Sequence, residues 1–263
     1  MNHRKLPVIR ILFRSYRLFF DNLPTFLRLI WFPALIGLTS DAVRYTDILI
    51  PVDYVDAVTL GLGGLYLICL IPAITSWHRL IILSPSTETP RIGFSFGKEE
   101  LSYAIRVIFF YVAAFLLFML LALPIGLLAK ALINLGLGWE YWESVLWDIL
   151  LALSLMPIAG FLLTFPAAAI GRPMKFGETG IFAKQNILRI WLLYLLALAP
   201  QPIFSLLIDY MVDWQTIESA TYLIVAELLF AMLVDLFFFA ITIGVLSLSY
   251  IWLVEKRNIP ELD

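Results

Sequence analysis

Six apolar stretches, at residues 23–40, 57–77, 107–129, 149–170, 190–208 and 219–254, leave this chain little choice of solvent. About 20 helical residues cross the ~30 Å hydrocarbon layer of a bilayer, so most of these blocks match one crossing. A water-soluble particle would have to hide all six at once. With 62% hydrophobic and 14% charged residues and a mean hydropathy of +0.92, the chain lacks the polar surface to do so. The expectation is an all-α integral membrane protein, one polytopic domain over residues 1–263.

The connections alternate in charge. Lys and Arg number six up to Arg28, then Arg44 alone, then Arg79, Arg91, Lys98 and Arg106, then Lys130 alone. Arg172, Lys175, Lys184 and Arg189 follow, then a connection with none, and finally Lys256 and Arg257. Sixteen of the 18 positive residues thus fall on one side of a six-crossing path. Positive residues are retained on the cytoplasmic face. This predicts six transmembrane helices in the cell inner membrane, both termini cytoplasmic. Trp139, Tyr141, Trp142, Trp147, Tyr210, Trp214, Tyr250 and Trp252 cluster at the implied interfaces, where amphipathic rings are favoured.

The clearest polar interruption, GRPMKFGETGIFAKQNILRIW at 171–191, has a loose upstream echo in PRIGFSFGKEELSYAIRVIF at 90–109. Both carry Phe-Gly and end on an arginine that opens an apolar block. A third version opens the chain, where Arg10, Arg14 and Arg17 recur at helical spacing opposite an apolar stripe. Arg28, Arg106 and Arg189 mark corresponding positions. The expected architecture is three hairpin units, approximately 6–84, 85–171 and 172–257, each preceded by a short cytoplasmic interfacial amphipathic helix. In this reading His78 and Arg79 close the second block in the headgroup layer. Gly61, Gly63 and Gly64 suit close helix packing.

The last block is too long for one crossing, since 36 residues make about 54 Å of helix. Counting back from Lys256 and Arg257 puts Asp235 at the outer interface and Glu227 beyond it. Two carboxylates in an apolar helix also fit an intramembrane polar site. A cavity around them favours transport, whereas exposure to outer headgroups favours a bland amphipathic extension.

The basic surface helix, the Pro72-Ala73 and Pro166-Ala167 pairs at the inner ends of even-numbered spans, and the Phe-Gly connections resemble a group of uncharacterised bacterial proteins. These are six-span inner-membrane proteins of the YciC type, together with the membrane domain fused to glycerophosphodiester phosphodiesterases. The resemblance implies a six-span membrane fold and brings no catalytic residues. No soluble stretch here is long enough for the phosphodiesterase domain itself.

Chemistry-bearing patterns are missing from the sequence. His78 has no second His or Cys at ligand spacing, GLGG at 61–64 lacks the strand-to-helix context of a nucleotide loop, and no phosphate-loop lysine follows a glycine run. Neither a catalytic set, a cofactor, a metal nor nucleic acid is expected. The first reading is a non-enzymatic inner-membrane protein acting in envelope organisation or lipid handling. Its partners would be anionic lipid headgroups or a protein at Arg10, Arg14, Arg17, Arg28, Lys98, Arg106, Lys175, Lys184 and Arg189. The alternative is a small-molecule or lipid transporter using Glu227 and Asp235, its helices broken at prolines. The topology is testable by labelling with an impermeant thiol reagent. Asp53→Cys, Tyr141→Cys and Asp213→Cys should react from outside, Thr87→Cys and Glu178→Cys should not, and outside labelling at 178 overturns the path.

Overall fold

The computed structural model describes residues 4–45, 52–83, 96–134, 143–204, 221–257 and 259. Pro90, Arg91, Gly93, Trp139, Tyr141, Trp142, Tyr210 and Trp214 lie outside them. No strand occurs among the described residues. Among the described residues, five helical stretches are long and apolar enough to cross a membrane: Leu23–Val43, Tyr54–Leu83, Lys98–Leu127, Ile187–Phe204 and Leu228–Glu255. A sixth candidate is the bent pair Ile149–Leu155 and Ala159–Ala169, which turns by 63°. The protein is a multi-pass helical membrane protein.

Helix α1 (Val8–Asp21) has three stripes. Ile11, Ser15 and Phe19 are buried, Ile9, Phe13 and Phe20 point outward as exposed apolar side chains, and Arg10, Arg14 and Arg17 form the third stripe. The sequence suggested an amphipathic helix lying on the membrane surface; in addition, its buried stripe docks onto the bundle, against α8 (Ile187–Leu198) and α9 (Thr221–Tyr250). Gly244 of α9 allows this approach: a Cβ built there would stand 3.3 Å from Ser15 Cβ. Phe19 then meets Phe237 of α9 at 5.0 Å and Phe26 of α2 (Leu23–Tyr45) at 5.3 Å, and Phe26 meets Trp77 at 5.1 Å. These edge-to-face rings tie α1 into the core.

Helices α2 and α3 (Val52–Leu83) form a long hairpin. Helix α4 (Lys98–Asn134) is continuous over 37 residues, so the short interfacial helix expected before the third span is absent among the described residues. Lys98 to Arg106 are its first turns. The physical reason is a start signal placed early: Glu100 accepts from Gly97 N at 2.8 Å, and Gly97 O receives Leu101 N at 3.1 Å. Helix propagation from that cap runs straight into the apolar block. The third unit differs. There Lys175 N donates to Glu178 at 3.0 Å, opening the separate eight-residue α7 (Phe176–Ala183). The two glutamates have equivalent roles, but Phe-Gly sits two residues later relative to the cap in the second case.

Helix α5 (Glu143–Leu155) ends in a turn at Met156 to Ile158 that contains Pro157. A 3-10 turn (Ala159–Leu163) and α6 (Thr164–Ala169) then carry the chain inward. Proline removes a helix donor and crowds the preceding turn, which accounts for the break. After α6, Gly171 takes φ +73, with Arg172 N bonded to Ala167 O at 2.9 Å and Gly171 N to Ala168 O at 3.0 Å. This closes the helix in a left-handed cap that disfavours any side chain at 171. Helix α9 ends through a π turn (Ile251–Glu255) with Lys256 in the left-handed region.

The tight core lies where α3, α6 and α9 converge, and all of residues 72–78, 162–169 and 240–253 are buried. Ala73, Ala167, Ala168, Ala169, Ala240 and Gly244 keep these backbones close, as membrane helices require when lipid is as apolar as leucine. Helix α4 turns Phe109, Phe115, Leu116, Leu120 and Leu123 outward, a lipid-facing surface. Gly61, Gly63 and Gly64 do not pack closely, since a Cβ at each meets nothing within 4 Å. Replacing Gly244 by Val should overpack the α1 seam and cost about 1–3 kcal/mol. Denaturant titration in mixed micelles and protease release of the N-terminal segment would measure it; unchanged values would show that α1 is not seated there.

Candidate functional site

Two polar constellations occupy opposite ends of the bundle. On α9, Asp235 precedes Glu255 by 20 residues, about 30 Å of helix, so the two mark the ends. Around Asp235 lies a cavity of about 430 Å³ between α2, α3, α8 with its continuation to Phe204, and α9. Asp41 and Ser40 come from α2, Tyr66 and Gly63 from α3, Gln201 from the end of the α8 span, and Met232, Leu236 and Phe239 from α9. Gln201 Nε2 donates to Asp235 Oδ1 at 2.8 Å. The lining includes two carboxylates and neither Lys nor Arg. Gly37 lets Tyr66 lie flat against α2, its ring 3.2 Å from where a Cβ would stand. Helical positions with small side chains thus make the room, and the acids stand in it.

At the other end, Glu100 is only 2% exposed and its carboxylate is saturated. Oε1 pairs with Arg79 Nη2 at 2.8 Å and receives Thr75 Oγ1 at 3.3 Å, while Oε2 holds Gly97 N. Arg79 Nε donates to Ala169 O at 2.6 Å, at the end of α6. Beside this pair His78 is fully buried, which corrects its expected place among headgroups. Ser247 donates to Ile243 O at 2.9 Å, so its oxygen accepts from His78 Nδ1–H at 2.7 Å. Tyr103 O–H then faces His78 Nε2 at 3.4 Å. That tautomer gives both ring nitrogens of His78 a partner.

Three arginine contacts link the ends of α3, α6 and α9 in a ring. Arg79 on α3 reaches the last residue of α6, Arg172 just after α6 reaches Glu255 at the end of α9 at 3.6 Å, and Arg257 just after α9 reaches Ile82 O on α3 at 2.7 Å. Arg257 also pairs with Glu255. The N-terminal segment straps across this ring. Arg4 O receives Asn186 Nδ2 at 3.1 Å, Lys5 O receives Trp252 Nε1 at 3.0 Å, and Leu6 N donates to Asn186 Oδ1 at 2.9 Å. Leu6 O receives Arg189 at 2.9 Å, and Arg4 stacks 3.5 Å over Trp252. Residues near both termini therefore meet at the same end.

The nine basic positions expected to contact lipid do not behave as one group. Arg189 is committed to Leu6 O, and Arg106 folds back on Ser102 O at 2.8 Å and on its hydroxyl. Arg17 lies 3.8 Å from Asp21, and Arg10 and Arg28 are exposed while Arg14 is half-buried. Lys98, Lys175 and Lys184 are exposed. Asp235 lines the cavity and is itself exposed, and the side chain of Glu227 is outside the described residues. Sequence reading missed Asp41, Tyr66 and Gln201, as well as Glu100, Asn186 and Glu255. Depth counting could have found Asp41, which stands 18 residues into α2 from Leu23, near the depth of Asp235.

No family model, no curated protein and no solved structure matches the chain.

Removing one member of the buried pair leaves an uncompensated charge. Arg79→Ala should destabilise by about 3–5 kcal/mol, and Arg79→Met combined with Glu100→Leu should recover most of it. A double-mutant cycle in micelles measures this; equal losses in both variants would mean that the ion pair is not what holds the helix ends.

Proposed function

We propose that the protein is a carrier in a bacterial inner membrane, with the basic end cytoplasmic, and that the acidic cavity receives a cationic amphiphile from the outer side. The single observation that supports this is the cavity itself: Asp41 and Asp235 line it together with Tyr66 and Gln201, among Gly, Leu, Met and Phe side chains. Both acids are exposed at this cavity, so they are open to a cation arriving from outside the bundle. Here the lining contributes donors and negative charge, and a ligand with an ammonium or phosphonium centre and an apolar body would match both halves of it. The volume lies in the range of small-molecule sites. This reading needs binding and release, not bond chemistry, so it places the protein among carriers rather than enzymes. The inner-membrane location and the cytoplasmic placement of both termini belong to the same proposal, resting on the charge alternation; a relation to YciC-type six-span proteins is proposed separately, from the Pro-Ala pairs and Phe-Gly connections alone.

A second reading, lipid handling on the basic face, is favoured by the stripes of α1. Its outward apolar stripe and adjacent arginines suit the headgroup layer, where each nearby positive charge contributes about 1 kcal/mol of attraction to anionic lipid.

The test is binding of radiolabelled tetraphenylphosphonium to the full chain in nanodiscs. Asp235→Asn should weaken binding at least about tenfold, which corresponds to a lost contact of roughly 1.4 kcal/mol. Asp41→Asn should weaken it as well, with melting unchanged in both variants. Equal affinity in wild type and both variants would overturn the cavity reading.

A further inference from the structure

We propose that the arginine ring at the basic end, with Glu100 holding Arg79, is the inner gate of the carrier, and that the structure shows the gate shut. This rests on the carrier reading, because a gate has meaning only if the outer cavity takes a ligand.

The path between the ends supports it. Phe239 forms part of the cavity wall and also lines a narrow apolar gap with Trp77, Ala73 and Ile243, too small to hold a water. Beyond that gap stands the His78–Ser247 hydrogen bond, and beyond it the Arg79–Glu100 pair and the ring. A ligand in the outer cavity therefore meets a dry constriction and then a polar closure.

The closure is made of contacts that can be exchanged. Arg79 and Arg257 hold backbone carbonyls at the ends of α6 and α3, where no further helical donor follows, and the Arg172 link to Glu255 is largely exposed. Separating the three helix ends would return these carbonyls and guanidinium groups to water without breaking any helix ladder. Glu100 comes from α4, a helix that faces lipid along most of its length, so tilting α4 withdraws the carboxylate from Arg79 while leaving the α3–α6–α9 packing to open at one end. Ser76 lies within the buried stretch of α3, and its hydroxyl is buried with no hydrogen-bond partner. In the gate reading, water entering from the basic end would reach this hydroxyl, which makes position 76 a reporter of opening.

The experiment uses the full chain carrying Cys69→Ser and Ser76→Cys, a swap that loses no hydrogen bond. Inside-out vesicles are treated with an impermeant maleimide. The parent should react slowly, and adding Glu100→Gln or Arg257→Gln should raise the labelling rate at least tenfold. Tetraphenylphosphonium binding is measured on the same preparations as evidence of folding. An unchanged labelling rate in both variants, with binding retained, overturns the gate, as does fast labelling of the parent. Absence of tetraphenylphosphonium binding in the unmodified protein overturns the carrier reading instead, and the melting temperature then reports folding for the labelling comparison.

Discussion

The last carbonyls of a helix have no partner within it, and three helices of this protein end side by side in a crowded bundle. Everything at the basic end follows from how those carbonyls are met. Water could serve an isolated helix end. Here the three ends are packed closely, and guanidinium groups from neighbouring elements serve the carbonyls of α6 and α3 instead, while Arg172 meets the Glu255 carboxylate at the end of α9. A planar fork of donors suits the task, since one arginine can hold a carbonyl and a carboxylate together, as Arg79 does with Ala169 and Glu100. The positive charges that orient a membrane protein are thereby also structural fasteners.

That double duty divides the basic residues. Arg79, Arg189 and Arg257 are consumed by contacts to backbone carbonyls, while Lys98, Lys175 and Lys184, which reach outward, retain the character of a charged surface. The opposite end has another economy. Gly37 and Gly63 thin the helices where Asp41 and Asp235 stand, so the bundle is tight at the basic end and hollow at the acidic one.

Hydropathy and charge alternation made the helical membrane class legible, because block length against bilayer thickness allows few other answers. The boundaries were harder. His78 and Arg79 looked like a helix terminus because polar residues commonly stop a span, yet α3 runs on to Leu83 since Ser247, Glu100 and Ala169 O satisfy both side chains within the core. Glu100 carried a readable cap signature after Gly97. Its partner did not, since Arg79 lies 21 residues upstream and pairing at that distance depends on how the helices cross. The same holds for the acidic cavity, where Asp41 and Asp235 are separated by most of the chain. One-dimensional depth places them at one level; only packing places them around one space.

The strap from Arg4 to Leu6 has a consequence for biosynthesis. Its receivers are Asn186, Arg189 and Trp252, and the Lys5 carbonyl waits for a residue 247 positions later. Residues made ahead of every span described here are thus seated only after the last of those spans is made. Until the final span is inserted, α1 has its docking stripe of Ile11, Ser15 and Phe19 uncovered, and the membrane surface is the one place where its apolar stripes and its arginines are all accommodated. The helix is a waiting passenger on the bilayer during synthesis and becomes a clasp once the chain has closed on itself.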